Sequence, residues 1–149
     1  MISIPQPPAP LVFFTMRLAD PQSDLLTAHA GPLRAAMRAV RRVRPFEIDS
    51  IVILPAALHA IWALPMNDPD LAPRLELFRA QFDALLAASD RRADWLEQVW
   101  PHPLADDADL AAHRAMIHQT PVMQGLAPRP EAWQFSSIHR ARDVRASLP

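Results

Sequence analysis

The sequence predicts an α+β domain of the ferredoxin-like kind, a βαββαβ antiparallel sheet with helices packed on one face. Three observations predict it. Short apolar, β-prone runs alternate with longer stretches whose apolar residues recur at helical spacing. Two of the short runs stand next to each other with only a proline turn between them, as a hairpin requires. The overall order, strand–helix–strand–strand–helix–strand with one more helix after it, is that of the split βαβ architecture.

Each element has its own local reason. Prolines at 5, 7, 8 and 10 make residues 1–10 an extended arm. Residues 11–18 (LVFFTMRL) are the first strand, which Asp20-Pro21 breaks. Between 24 and 43, Leu25, Leu33, Met37 and Val40 suit a helix, with a fresh start at Gly31-Pro32 and an end at Arg44-Pro45. Residues 46–54 (FEIDSIVIL) have the β-branched enrichment of a strand; Pro55 turns the chain, and 58–64 (LHAIWAL) pairs back on it. Residues 71–88 form a helix on Leu75, Phe78, Phe82 and Leu85. The last strand falls within 95–104, interrupted by Pro101 and Pro103. Residues 106–118 are a helix with an acidic first turn, closed by Pro121 and Gly125. From 128 onward the chain is irregular, with Trp133 and Phe135 as anchors. The division is an arm at 1–10, one domain at 11–140 and a tail at 141–149.

Composition narrows the functional classes. At 149 residues, half of them apolar, the chain fits one domain with a sizeable core. No apolar run is long enough to span a bilayer. The opening MISIPQPPAPLVFF has no charged segment ahead of its apolar stretch, so the cytoplasm is the expected location. The absence of cysteine excludes disulfides and thiolate metal sites. All 15 basic side chains are arginine, and the formal charge is −1, so contact with DNA requires arginines gathered on one face. There is no tyrosine. Neither this chain nor a homodimer of it can supply a phenolic nucleophile.

Five segments in register carry a family resemblance: PFEIDSIVILPAALHAIWALP (45–65), RLELFRAQF (74–82), DWLEQVWPHPL (94–104), MIHQTPVMQGL (116–126) and WQFSSIHR (133–140). Together they resemble the REP-associated tyrosine transposases, IS200-like single-strand-DNA transposases of the HUH–tyrosine type. The resemblance implies a known chemistry. Two histidines flanking a bulky apolar residue on a strand share one sheet face and hold a divalent cation, Mg²⁺ or Mn²⁺, that polarises the scissile phosphate. A tyrosine on the last helix attacks phosphorus, and an amide one helical turn later completes the metal shell. The resemblance also implies single-stranded or hairpin DNA as partner and makes a homodimer a candidate assembly.

At each of these positions the chain departs from the family. Pro55-Ala56-Ala57-Leu58-His59 stands where the pattern is Pro-acid-His-U-His, so the first histidine is Ala57 and His59 is alone. The tyrosine position falls at Met116 and the amide position at Thr120. One imidazole does not hold a hydrated Mg²⁺ or Mn²⁺ with useful affinity, so no cofactor is expected and His59 is at most a remnant ligand. The expectation is a transposase-like, catalytically inactive protein that still binds DNA. Arginine is thinned in the segments that resemble the family's DNA-contacting ones. What remains is Arg34, Arg38, Arg41 and Arg42 at helical spacing, with Arg44, Arg74, Arg79, Arg140 and Arg142 elsewhere.

Each of these residues also has a purely structural reading. His59 fits a hydrogen-bonded core histidine. The arginine row fits a solvated face whose cations favour a helix C-terminus. Most of Trp62, Trp95, Trp100 and Trp133 belong in the core, leaving one as a base-stacking platform. Asp106, Asp107 and Asp109 fit an acidic first helical turn. Two other functions stay open. One is a protein-interaction or scaffold domain without nucleic acid. The other is a hydrolase rebuilt around His59, His102 and His118, with His139 also within the family-like segments, in which zinc holds the nucleophilic water.

Overall fold

The structure, a computed structural model, describes residues 10–140. The expected tail at 141–149, Arg142 and all of the arm but Pro10 lie outside the described residues. β1 (Leu11–Arg17) leads through a short α1 (Leu25–Ala28) to α2 (Ala30–Val43). The hairpin of β2 (Glu47–Ile53) and β3 (Ala57–Ala63) follows, then α3 (Ala72–Leu86), β4 (His102–Pro103) and α4 (Asp107–Met123). The strands pair antiparallel in the order β2-β3-β1-β4. This is the ferredoxin-like sheet: α2 carries the chain past the place that β3 later fills between β1 and β2.

Side-chain alternation sorts the strands into two faces. Val12, Phe14 and Met16 of β1 are buried toward α2 and α3, while Leu11, Phe13 and Thr15 are half-buried on the other side. β3 is buried on both faces, which is why LHAIWAL reads as an unbroken apolar run. The larger core joins Phe14, Trp62 and Phe46 to Leu33, Met37 and Val40 of α2 and to Leu75, Phe78 and Phe82 of α3. Trp62 stacks on Phe46 at 3.8 Å and meets Phe14 edge-on at 4.9 Å between ring centroids. Burial of each such large side chain stabilises the fold by roughly 2 kcal/mol. A smaller cluster of Val52, Leu54, Ala57, Ile61 and Ile117 holds α4 against the opposite face.

Some boundaries differ from the sequence expectation, each for a physical reason. The helix break comes at His29 rather than at Gly31, and Pro32 sits in the first turn of α2, where a missing N–H costs nothing. α3 buries Leu86 in place of Leu85, which is 43% exposed. The last strand is reduced to two residues, because Pro101 and Pro103 offer no N–H to a ladder. α4 runs through Pro121 to Met123: only one helical hydrogen bond is lost, and the ring is buried. The C-terminal segment covers the β2 edge, with Ile53 N donating to Phe135 O and Ser137 N to Ile51 O, both at 2.9 Å. Trp133 anchors it by donating from Nε1 to Ile53 O at 2.9 Å. Among the described residues, no helix is long and apolar enough to cross a membrane.

Candidate functional site

Register fixes which side chains share the α4 face. Across the β1–β3 ladder Arg17 opposes Ala57, Thr15 opposes His59 and Phe13 opposes Ile61. Directly opposed residues point to one face, so Ala57 and His59 both turn toward α4, as an i, i+2 pair on a strand must. An imidazole at position 57 would share this face with His59; the residue there is alanine.

His59 is 7% exposed, and its Nδ1 lies 2.7 Å from Thr15 Oγ1. The Phe13 ring stacks 6.2 Å away. Burial, with a smaller push from the Arg17 cation, lowers its pKa to about 4, so the ring is neutral at physiological pH. Ala57 packs in the apolar cluster with Ile117. On α4, Met116 is half-buried, and Thr120 donates its hydroxyl to the Met116 carbonyl at 2.6 Å. A methyl, a thioether and a hydroxyl turned back into its own helix do not complete a shell for Mg²⁺ or Mn²⁺ around one imidazole. The residues present do not fit the family's cation. Beside Ala57, a cleft of about 440 Å³ opens between Arg17, Gln22, Pro55, Gln124 and Leu126.

The histidines do not gather as the hydrolase reading needs. His118 is half-buried near Arg114 and Asp49 on the β2 side, and burial lowers its pKa. His139 Nε2 lies 2.7 Å from the Trp133 carbonyl, an anchor of the C-terminal segment. His102 joins neither of them. It meets Asp109 and His113 instead, with its Nε2 3.0 Å from Asp109 Oδ2 and its ring stacked 4.8 Å from that of His113. Among the described residues, the group close enough to share a cation is His102, Asp109 and His113, not His59, His102 and His118. His113 escaped the sequence reading, although Asp109 and His113 stand at i, i+4 on one helix face, which was the available signal. Asp106 caps α4 by accepting from Asp109 N at 2.8 Å. Asp109 accepts from Ala105 N at 3.0 Å, which, with His102, holds its carboxyl below the usual range.

The arginines divide into two groups. Arg74 is fully buried and donates to the carbonyls of Arg44, Pro45, Asp68 and Asp70 and to the Asp68 carboxylate, at 2.7 to 3.2 Å. Arg44 grips the same Asp68, with Nε 3.1 Å from Oδ2. Arg79 donates to the carbonyls of Leu96 and Glu97 at 3.3 and 3.4 Å. These three hold loops together, and Arg74 has no path to a phosphate. The second group lines a groove of about 250 Å³ between α2, β2 and the C-terminal segment: Arg34, Arg38, Arg41 and Arg140, with Phe135 at its wall. The Arg34 guanidinium lies 5.8 Å from the Phe135 ring centre. Arg41 is partly committed to the Phe46 carbonyl and Glu47, and Arg140 to the carbonyls of Ile48 and Asp49. Arg34, Arg38 and Arg42 are exposed. Of the tryptophans, Trp62 is core, Trp95 packs near Phe78 and Phe82, Trp133 is an anchor, and Trp100 is 76% exposed.

With this geometry, comparison with known proteins becomes informative. No protein-family profile matches the chain. It is 36% identical over 136 residues to the REP-associated tyrosine transposase of Escherichia coli, covering 91% of this chain and 79% of that protein. The chain belongs to the REP-associated tyrosine transposases. A candidate member from Haemophilus influenzae is 33% identical, over 93% of this chain and 84% of its own length. A REP-associated tyrosine transposase solved with a REP hairpin superposes with a TM-score of 0.84 at 32% identity, covering all of this chain and 89% of the other. A candidate transposase of Deinococcus radiodurans, at 10% identity and a TM-score of 0.52 over 78% of this chain and 95% of its own, shares the fold alone. Arg17, at the cleft beside Ala57, is a second residue that the sequence reading passed over. Its place two residues beyond Thr15 on the same strand face was the signal.

Proposed function

We propose that this REP-associated tyrosine transposase binds single-stranded or hairpin DNA and does not cleave it. The observation that carries the reading is the neighbourhood of His59. The paired ligand position is Ala57, the surviving imidazole is buried against Thr15, and the nucleophile position is Met116 in a chain without tyrosine. Cleavage through a phosphotyrosine needs a phenol, and metal assistance needs more than one ligand. Binding needs neither. The groove of Arg34, Arg38, Arg41 and Arg140 offers guanidinium donors beside an aromatic wall, a combination suited to phosphates and unpaired bases. The solved relative that carries a REP hairpin supports a hairpin as the partner. The same reading places the chain in the cytoplasm, with DNA. The test is an end-labelled hairpin incubated with the protein and Mg²⁺ or Mn²⁺, then run on a denaturing gel. Intact strands are expected; a shortened strand or a covalent protein–DNA adduct that survives repurification would sink the proposal.

A further inference from the structure

We propose that His102, Asp109 and His113 form a site for one divalent transition-metal cation of the zinc class, away from the positions where the family's histidine pair falls. Two elements build it. β4 supplies His102, and α4 supplies Asp109 and His113, one turn apart on the same helix face. One ligand atom from each residue lies within 4.8 Å of the other two. The carboxylate is the hub, with His102 Nε2 3.0 Å from Oδ2 and His113 Nδ1 3.2 Å from Oδ1. A tetrahedral cation bonded at about 2.0–2.2 Å sets its ligand atoms roughly 3.3 Å apart, close to the two nitrogen–carboxylate distances, which run to different oxygens of Asp109; the third edge lies between the imidazoles. His102, about half exposed, has the rotational freedom to close the third.

Without a cation, the hydrogen bond between His102 Nε2 and Asp109 Oδ2 holds the two elements together. On binding, each neutral imidazole carries its proton on the far ring nitrogen, and the cation takes the vacated position. Two imidazoles and one carboxylate suit zinc better than Mg²⁺ or Ca²⁺, which prefer an all-oxygen shell. The fourth position faces solvent and takes water. Ala105 N, 3.0 Å from Asp109 Oδ2, orients the carboxylate ligand from outside. The site shares its sheet face with His59. Phe13 opposes His102 across the β1–β4 ladder, and its ring lies 4.8 Å from His113 and 6.2 Å from His59. The cation would tie the two-residue β4 to the first turns of α4.

The test uses the full, untagged chain, with Zn²⁺ titrated in competition with a chromophoric chelator and thermal unfolding followed in parallel. One Zn²⁺ per chain at micromolar affinity or tighter is expected, with a rise in Tm. His102→Gln and His113→Gln should each weaken binding by at least about ten-fold, with unchanged circular dichroism. His59→Gln should leave binding as it is. Failure to bind Zn²⁺ at micromolar concentration overturns the proposal, as does binding that survives His102→Gln and His113→Gln or disappears with His59→Gln.

Discussion

The sheet face under α2 and α3 is packed almost wholly with apolar side chains, among them Phe14, Met16, Leu58 and Trp62, whereas the face under α4 mixes Ile61 and Val52 with Thr15 and His59. Two long helices close the first face and one helix with a C-terminal segment closes the second. The difference has a physical basis. A face sealed by two helices leaves a polar group only the partners that the fold converges on it, as Arg74 shows with four carbonyls and the Asp68 carboxylate, so substitution there is answered in stability. On the α4 face polar groups reach solvent, side-chain hydroxyls and one another. Polar and titratable side chains can be placed there while the core is left undisturbed.

The contrast can be tested by substitutions on either face. The largest effect is expected at Trp62→Ala, which empties the stack between Phe14 and Phe46 and should destabilise by about 3–5 kcal/mol in denaturant unfolding. Trp62→Phe should cost far less, since the indole N–H it removes has no hydrogen-bond partner. A similar cost for both would show that the packing is not what the face depends on. Arg74→Ala should follow at about 3 kcal/mol, because four carbonyls lose a donor and the Asp68 carboxylate is left to Arg44. DNA affinity per folded molecule should not change; a loss of affinity would return Arg74 to the binding surface.

On the α4 face the expected signature is pH dependence. His59 has a pKa of about 4 when folded and about 6.5 when unfolded, so between these values the unfolded chain binds more protons. Stability is therefore full above about pH 6.5 and falls as the pH drops toward 4, by at most about 3 kcal/mol. His118, also lowered by burial, adds in the same direction. His59→Gln should flatten most of that slope in urea titrations at several pH values; an unchanged slope would place the proton uptake elsewhere. The smallest effect is expected at Asp49→Asn. Its partner Arg114 is 46% exposed, so solvent screens the pair and the loss should stay below about 1 kcal/mol. Calorimetric unfolding would show a larger value if the pair were an anchor of α4.

How far the sequence reached follows from what each feature depends on. The order of the elements was legible because it rests on local patterning: residues 11–18 and 46–54 are short β-prone runs, and Leu75, Phe78 and Phe82 recur at helical spacing. The shared face of Ala57 and His59 was legible because register within a strand is a matter of counting. The division of the arginines was not. Arg34 and Arg74 look alike in a sequence, and what separates them is a set of carbonyls up to 30 residues away that converge on Arg74. β4 was blurred for a similar reason, since a strand of two residues flanked by proline carries no alternation. The meeting of His102 with His113 depends on the turn between β4 and α4, which no spacing rule describes.

The measurement that tests the account most directly is fluorescence anisotropy of a labelled hairpin titrated with the protein across a salt series, alongside the Arg34→Ala/Arg38→Ala variant. The account predicts binding at micromolar concentration or tighter that weakens steeply with salt, with the salt slope reduced by roughly one for each arginine removed. A flat response at low salt, or an affinity and slope untouched by the double substitution, would contradict it and leave the fold as a surface for a protein partner.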